Sequence, residues 1–156
     1  MNRKTTNFIA TRGVVLNSKN QILVASRDSI IWELPGGGCD DKSSSEMCIQ
    51  EIHEECGLIA EIDYFFGFFE YLIQKNDTLA RNAIFYYKCN IVGNDAIDPN
   101  WKDLGYDVIK YRKFIDYEEF KKLNGRKSLE PMQNLSFEEI KNGRNFCFDF
   151  KDFTKL

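Results

Sequence analysis

Three carboxylates, Glu51, Glu54 and Glu55, crowd into the run IQEIHEECGL, a short distance beyond a proline and three consecutive glycines, Pro35 to Gly38. At roughly 100° per residue these acids fall within one arc of a helix. Like charges at such spacings repel by about 0.2–0.5 kcal/mol per pair, and no lysine or arginine lies between Ser44 and Cys56 to offset them. Two readings follow. A hard divalent cation can supply the missing charge, since Mg²⁺ takes oxygen ligands and keeps waters and substrate phosphates in its shell. Alternatively the acids form a solvated helix face. The neighbouring glycines favour neither a helix nor a ladder and let the backbone turn sharply or approach a ligand closely.

The elements that must hold these groups are legible around them. Serines 43 to 45 offer an N-cap oxygen, Glu46 stands where the helix dipole favours a carboxylate, and Gly57 stands where a C-terminal cap belongs. That frames a helix over residues 44–56, with Cys48, Ile49, Ile52 and Cys56 on a core-facing arc. Upstream, residues 8–16 and 21–26 read as a hairpin around the turn Asn17-Ser18-Lys19-Asn20, and Ile30 to Trp32 as a strand entering the glycines. Downstream, residues 59–72 form an aromatic-dense strand with a bulge at Gly67, in which core packing is preferred over base stacking. Ala83 to Cys89 is another strand, followed by a long polar connection over 93–105; connections of that length are usually functional or mobile. Tyr106 to Tyr111 has strand character. Asp116 and Glu119 suggest a capping box for a helix closed by Asn124-Gly125, and Ser136 with Glu139 suggests a second. Gly125-Arg126-Lys127-Ser128 is faintly like a phosphate-binding loop but lacks its first glycine, so it reads as a solvated turn. Phe146, Phe148 and Phe150 alternate as a half-buried strand.

The stretch from Gly36 to Leu58 resembles the Nudix box, the signature of hydrolases that cleave a nucleoside diphosphate linked to another moiety. That pattern ends in Arg-Glu, an aliphatic residue, a spacer, Glu-Glu, a spacer, Gly and an aliphatic residue; Glu51, Ile52, Glu54, Glu55, Gly57 and Leu58 match it, as does Gly36 at its start. Gln50 replaces the family's arginine, which braces the neighbouring glutamate, and Lys42 or Ser43 replaces its earlier glutamate, in a loop one residue short of the commonest spacing. The resemblance covers roughly residues 5–125 of a single domain, 1–156. It implies an α/β (α+β) fold, the α-β-α sandwich with a mixed central sheet. It further implies metal-dependent hydrolysis of a diphosphate linkage, with Glu51, Glu54 and Glu55 as catalytic residues and, with the Gly36 carbonyl, as ligands of Mg²⁺ or Mn²⁺. Arg27 and Gly37 are the implied substrate contacts, and Asp103 or Asp107 a fourth oxygen ligand or a base, against the simpler reading of a turn-capping aspartate.

At 156 residues the chain suits one domain with a sizeable core. Its formal charge of −3 argues against a nucleic-acid polymer as partner, and no apolar run approaches a membrane span. Arg12 interrupts any signal-peptide core, and five cysteines without C-x-x-C spacing read as reduced thiols, so a cytoplasmic protein is expected. With His53 the single histidine and on another arc, Cys39 is not expected to be a Cys-His nucleophile. The expected partner is a small nucleotide-type diphosphate; a homodimer is left open. The rival readings are a catalytically weak nucleotide-binding module or sensor, and an acidic-helix scaffold without metal.

Overall fold

The computed structural model describes residues 4–75, 77–105, 109–143 and 151–152. Its centre is a mixed sheet. Strand β1 (Lys4–Leu16) turns at Asn17 into β2 (Ile22–Ser26), and β3 (Trp32–Glu33) leads into the glycine turn. Helix α1 (Ser44–Cys56) follows, then the long hairpin of β4 (Ala60–Lys75) and β5 (Thr78–Ile91), then β6 (Tyr111–Ile115). Three short helices, α2 (Tyr117–Lys122), α3 (Glu130–Gln133) and α4 (Phe137–Asn142), precede β7 (Lys151–Asp152). The sheet order is β3-β2-β1-β5-β4-β7, with β6 also paired to β2. β1 and β5 run parallel over their length, from Lys4 opposite Thr78 to Leu16 opposite Asn90, whereas β4 and β5 are antiparallel.

Two cores cover the two faces of the sheet. On one, Cys48, Ile52 and Cys56 of α1 pack on Val15, Leu23, Ala25 and Cys89. On the other, Phe120, Leu129, Met132 and Ile140 from the short helices pack on Val14, Ile22, Val24, Phe66 and Tyr86. Burying each such side chain contributes about 1.5–3 kcal/mol, and sheet alternation distributes successive residues to opposite cores. The α-β-α sandwich with a mixed central sheet is therefore present.

Local signals held where the chain itself closes them. Ser43 caps α1, its hydroxyl accepting from the Glu46 amide, and the Glu46 carboxylate answers to the Ser43 amide; Gly57 ends the helix at φ 72°. Ser136 and Glu139 cap α4 in the same way, and the register of β4 shifts at Gly67. Four expectations need correction. Ile30 and Ile31 are exposed and outside the strand, because Ser29 turns the chain at φ 64° and pairing starts only at Trp32. Asp116 makes no cap; its carboxylate accepts from the Gln21 side chain, and α2 ends at Leu123, before Asn124 and Gly125. β6 starts at Tyr111, since Ile109 turns into the core and the Lys110 amide bonds the Ser26 carbonyl. The aromatic strand is divided: Phe66 and Phe69 are buried, while Phe65 and Phe68 are exposed and pack on Phe85 across the sheet. The Phe146 to Phe150 strand and Asp107 lie outside the described residues. Among the described residues no helix is long and apolar enough to cross a membrane, and Cys39, Cys48, Cys56 and Cys89 are free thiols.

Candidate active site

The glycine turn is stitched onto β1. Gly13 donates to the Pro35 carbonyl at 2.9 Å, Thr11 to the Gly37 carbonyl at 2.9 Å, and Cys39 to the Ile9 carbonyl at 2.8 Å. Gly36 needs its lack of a side chain, since at φ 154° a Cβ there would lie 2.0 Å from the Thr11 carbonyl oxygen. Beneath the turn lies Arg12. Its Nη1 donates to the Leu34 carbonyl at 3.1 Å and the Gly36 carbonyl at 2.9 Å, and its Nη2 stands 3.3 Å from the buried Glu33 carboxylate. Sequence reading used Arg12 only to exclude a signal peptide, and missed both it and Glu33. The available signal was a cation in an otherwise apolar strand, where a buried charge must have a partner.

Helix α1 delivers Glu51 and Glu55 to this turn and points Glu54 toward Gly105. A Cβ added at Gly37 would meet Glu51 Oε1 at 2.5 Å, so that carboxylate rests directly against the bare backbone. Glu55 Oε2 accepts from the Gly36 amide at 3.0 Å. Glu54 Oε1 accepts from the Gln50 amide at 2.8 Å, and Gln50 in turn accepts from the Lys42 ammonium, so the position where the family pattern carries an arginine still braces Glu54. The backbone carbonyl of Glu54 accepts from the Trp101 indole at 3.0 Å and the Leu104 amide at 3.1 Å, which clasps the long connection to the helix.

The acids differ in surroundings. Glu55 is only 4 % exposed, and burial pushes its carboxyl well above the ordinary carboxylate range, against the opposing pull of Arg12 and the Gly36 amide. The helical arcs set it apart from the core-facing side; it is nonetheless the most buried of the three. A cleft of about 430 Å³ opens over the others, lined by Asp40, Asp41, Glu51, Glu54, Glu55 and Asp103 and, among the described residues, by no lysine or arginine. Asp103 spends both oxygens on the Gly105 and Ile109 amides, at 2.7 Å each, which favours its turn-capping reading over that of a base. Burial raises the Cys39 thiol, so it is not an activated thiolate, and His53 packs edge-on against Trp101, away from it.

This donor set suits a hard cation that completes its shell with water and substrate oxygens. Among the described residues no three carboxyl, imidazole or thiol groups are grouped so as to hold an ion by themselves. The Gly36 carbonyl has one lone pair engaged by Arg12 and a second still available.

Arg27 is exposed and does not reach this acidic cleft. It lines a second one, of about 260 Å³, on the far side of Gly36 to Gly38, together with Arg12, Glu33, Arg126, Lys127 and Ser128. The two clefts share the glycines and Phe8.

Comparison with known proteins accords with this geometry. A family model for the NUDIX domain matches residues 6–134. A Bacillus subtilis (strain 168) protein, provisionally described as an 8-oxo-dGTP diphosphatase, is 37% identical over 59 residues; the match spans 36% of this chain and 40% of that relative. The mutator MutT protein from Bacillus halodurans superposes with TM-score 0.68 at 16% identity, over 94% of this chain and 90% of its own. An ADP-ribose pyrophosphatase from Streptococcus suis superposes with TM-score 0.57 at 18% identity, over 94% and 99%. The chain belongs to the NUDIX domain family.

Proposed function

We propose that the protein is a metal-dependent pyrophosphohydrolase that cleaves the diphosphate linkage of a nucleotide-type small molecule. The observation that carries this reading is that Glu51 and Glu55 meet Gly37 and Gly36 while Glu54 lines the same cleft, whose charged lining among the described residues is six carboxylates. Glu51, Glu54 and Glu55, with the Gly36 carbonyl, would hold Mg²⁺ or Mn²⁺. Such an ion, when bound, neutralises diphosphate oxygens and makes bound water more acidic.

The chain's own groups do the rest. Gln50 fixes the direction of the Glu54 carboxylate. Gly37 offers substrate its backbone at the wall the two clefts share, and the Arg27 guanidinium can grip a phosphate with paired N–H groups. Burial disfavours the charged form of Glu55, and Arg12 and the Gly36 amide oppose that shift. One of the three carboxylates accepts the proton of the attacking water as the bridge oxygen departs with the leaving phosphate.

The alternative, a nucleotide-binding module with little turnover, was suggested by Gln50 and the shortened loop. Gln50 holds Glu54 rather than the adjacent Glu51, so a brace is present on a different carboxylate of the same helix. Product analysis over a panel of nucleoside triphosphates, ADP-ribose, nucleotide sugars and dinucleoside polyphosphates, with and without Mg²⁺ or Mn²⁺, separates the two. Metal-dependent release of phosphate-bearing products is expected. Ligand-induced stabilisation with no product would favour the binding module.

A further inference from the structure

The segment Gly125-Arg126-Lys127-Ser128, read from sequence as a solvated turn, is not simply solvated. The Arg126 amide donates to the Trp32 carbonyl at 3.0 Å, and the Asn124 carbonyl accepts from the Trp32 amide at 2.9 Å, so the segment is fastened to β3 beside the glycine turn. Ser128 is 8 % exposed, and its carbonyl accepts from the buried Tyr86 hydroxyl at 2.7 Å. Its own hydroxyl is buried without a hydrogen-bond partner among the described residues. A buried hydroxyl without a partner is unfavourable, and native structures rarely leave one without a bound partner or a use.

Ser128 lines the second cleft, where among the described residues Arg12, Arg27, Arg126 and Lys127 stand with one carboxylate, Glu33. Glu33 is already held between Arg12 at 3.3 Å and Arg126 at 3.5 Å, with its side chain 5% exposed. Its charge is shared between these two guanidinium groups, and the described lining carries four cationic side chains against this one carboxylate. Across the glycines the other cleft is wholly acidic. A molecule lying over Gly36 to Gly38 therefore meets opposite fields on its two sides.

Resting on the pyrophosphohydrolase reading, we propose that the second cleft is an anion subsite: Arg126, Lys127 and the Ser128 hydroxyl take a phosphate or carboxylate that the substrate carries beyond the diphosphate being cleaved. Preferred substrates then bear one more acidic group than the diphosphate itself supplies. Guanidinium, ammonium and hydroxyl donors together suit an oxyanion and offer nothing comparable to an uncharged sugar.

The test uses pairs that differ by one acidic group: ADP and ATP, NAD and NADP, UDP-glucose and UDP-glucuronic acid. With Mg²⁺ present, the anionic member of at least one pair should show a kcat/KM about tenfold higher or more, and the pair that does so distinguishes phosphate from carboxylate. In Arg126→Gln and Lys127→Gln that ratio should fall below about threefold, through a raised KM of the anionic member. Ser128→Ala should lower the ratio severalfold without lowering the Tm. Lys127→Gln decides alone should Arg126→Gln fail to fold, since Lys127 is exposed.

Equal kcat/KM within every pair, or variants that slow both members alike, would overturn the subsite and leave the hydrolase reading intact. If nothing is cleaved, the hydrolase reading fails. Metal-free calorimetry on the same pairs then decides the subsite, with tighter binding of an anionic member, lost in Lys127→Gln, supporting it and equal binding overturning it.

Discussion

The acidic and basic clefts share one wall, Gly36 to Gly38, yet they are built in opposite ways. On the acidic side one helix sets the pattern: α1 supplies Gln50, Glu51, Glu54 and Glu55 within little more than one turn, its caps fix where that turn begins and ends, and Asp40, Asp41 and Asp103 join them from loops. The basic side draws Arg12 from β1, Arg27 from beyond β2, Glu33 from β3, and Arg126 to Ser128 from the link between α2 and α3. A site on one element inherits its geometry from helical periodicity. A site gathered from distant segments exists only once the sheet has formed. Arg12 sits where both schemes meet, because it ties the glycine turn to β1 and also neutralises Glu33.

That makes Arg12 the place to break both clefts at once. Arg12→Met removes the donor to the Leu34 and Gly36 carbonyls and leaves Glu33, buried, with only the longer contact to Arg126. Removing one partner of a buried pair costs about 3–5 kcal/mol, and each kcal/mol lowers the Tm of a domain this size by about 2–4 °C. Thermal unfolding should show a large drop, and activity should fall on every substrate. A variant with unaltered Tm would mean that the turn holds itself and that the clefts are independent.

Glu55→Gln acts on the acidic side alone. Turnover should fall at least about tenfold, corresponding to about 1.4 kcal/mol of barrier, with an unchanged circular dichroism spectrum. Full activity would remove Glu55 from the site. Stability should move the other way. A carboxyl whose folded pKa lies above its ordinary value of 4.5 supports folding fully below that value, and the support is lost as pH rises through the folded value. Metal-free wild type and Glu55→Gln should therefore melt alike in acid, and the variant should become the more stable as pH rises to neutrality. Adding Mg²⁺ should narrow the gap by stabilising the wild type.

The same contrast explains what could be read before folding. Ser43, Glu46 and Gly57 act on the backbone within a few residues, so the helix and its acid arc were legible, as was the bend at Gly67. Recognition of the box added the sandwich, which periodicity alone left open. The inward position of Glu55 was not legible, because it depends on the Gly36 amide and on Arg12, which reach it through the pairing of the turn with β1. Nor was the Ser128 environment, since nothing near Ser128 in sequence announces that Tyr86, 42 positions away, will pin its carbonyl. Asp116 misled for the same reason: a good local cap was outbid by Gln21 across the fold.

The smallest expected effect tests whether the departure at position 50 is a loss or a substitution. Gln50 donates to Glu54 through its amide nitrogen while its oxygen takes the Lys42 ammonium, so the lysine holds the amide in the orientation that serves Glu54. Gln50→Leu should lower turnover about three- to tenfold, roughly 0.7–1.4 kcal/mol, and weaken Mn²⁺ binding in calorimetry. Lys42→Met should cost only about twofold, because an exposed contact is worth little. Gln50→Arg would give Glu54 a direct cation and make Lys42 dispensable, so adding Lys42→Met to it should cost nothing further. If Gln50→Leu keeps full turnover and metal affinity, the brace is incidental, and the acidic cleft depends on the glycine turn alone.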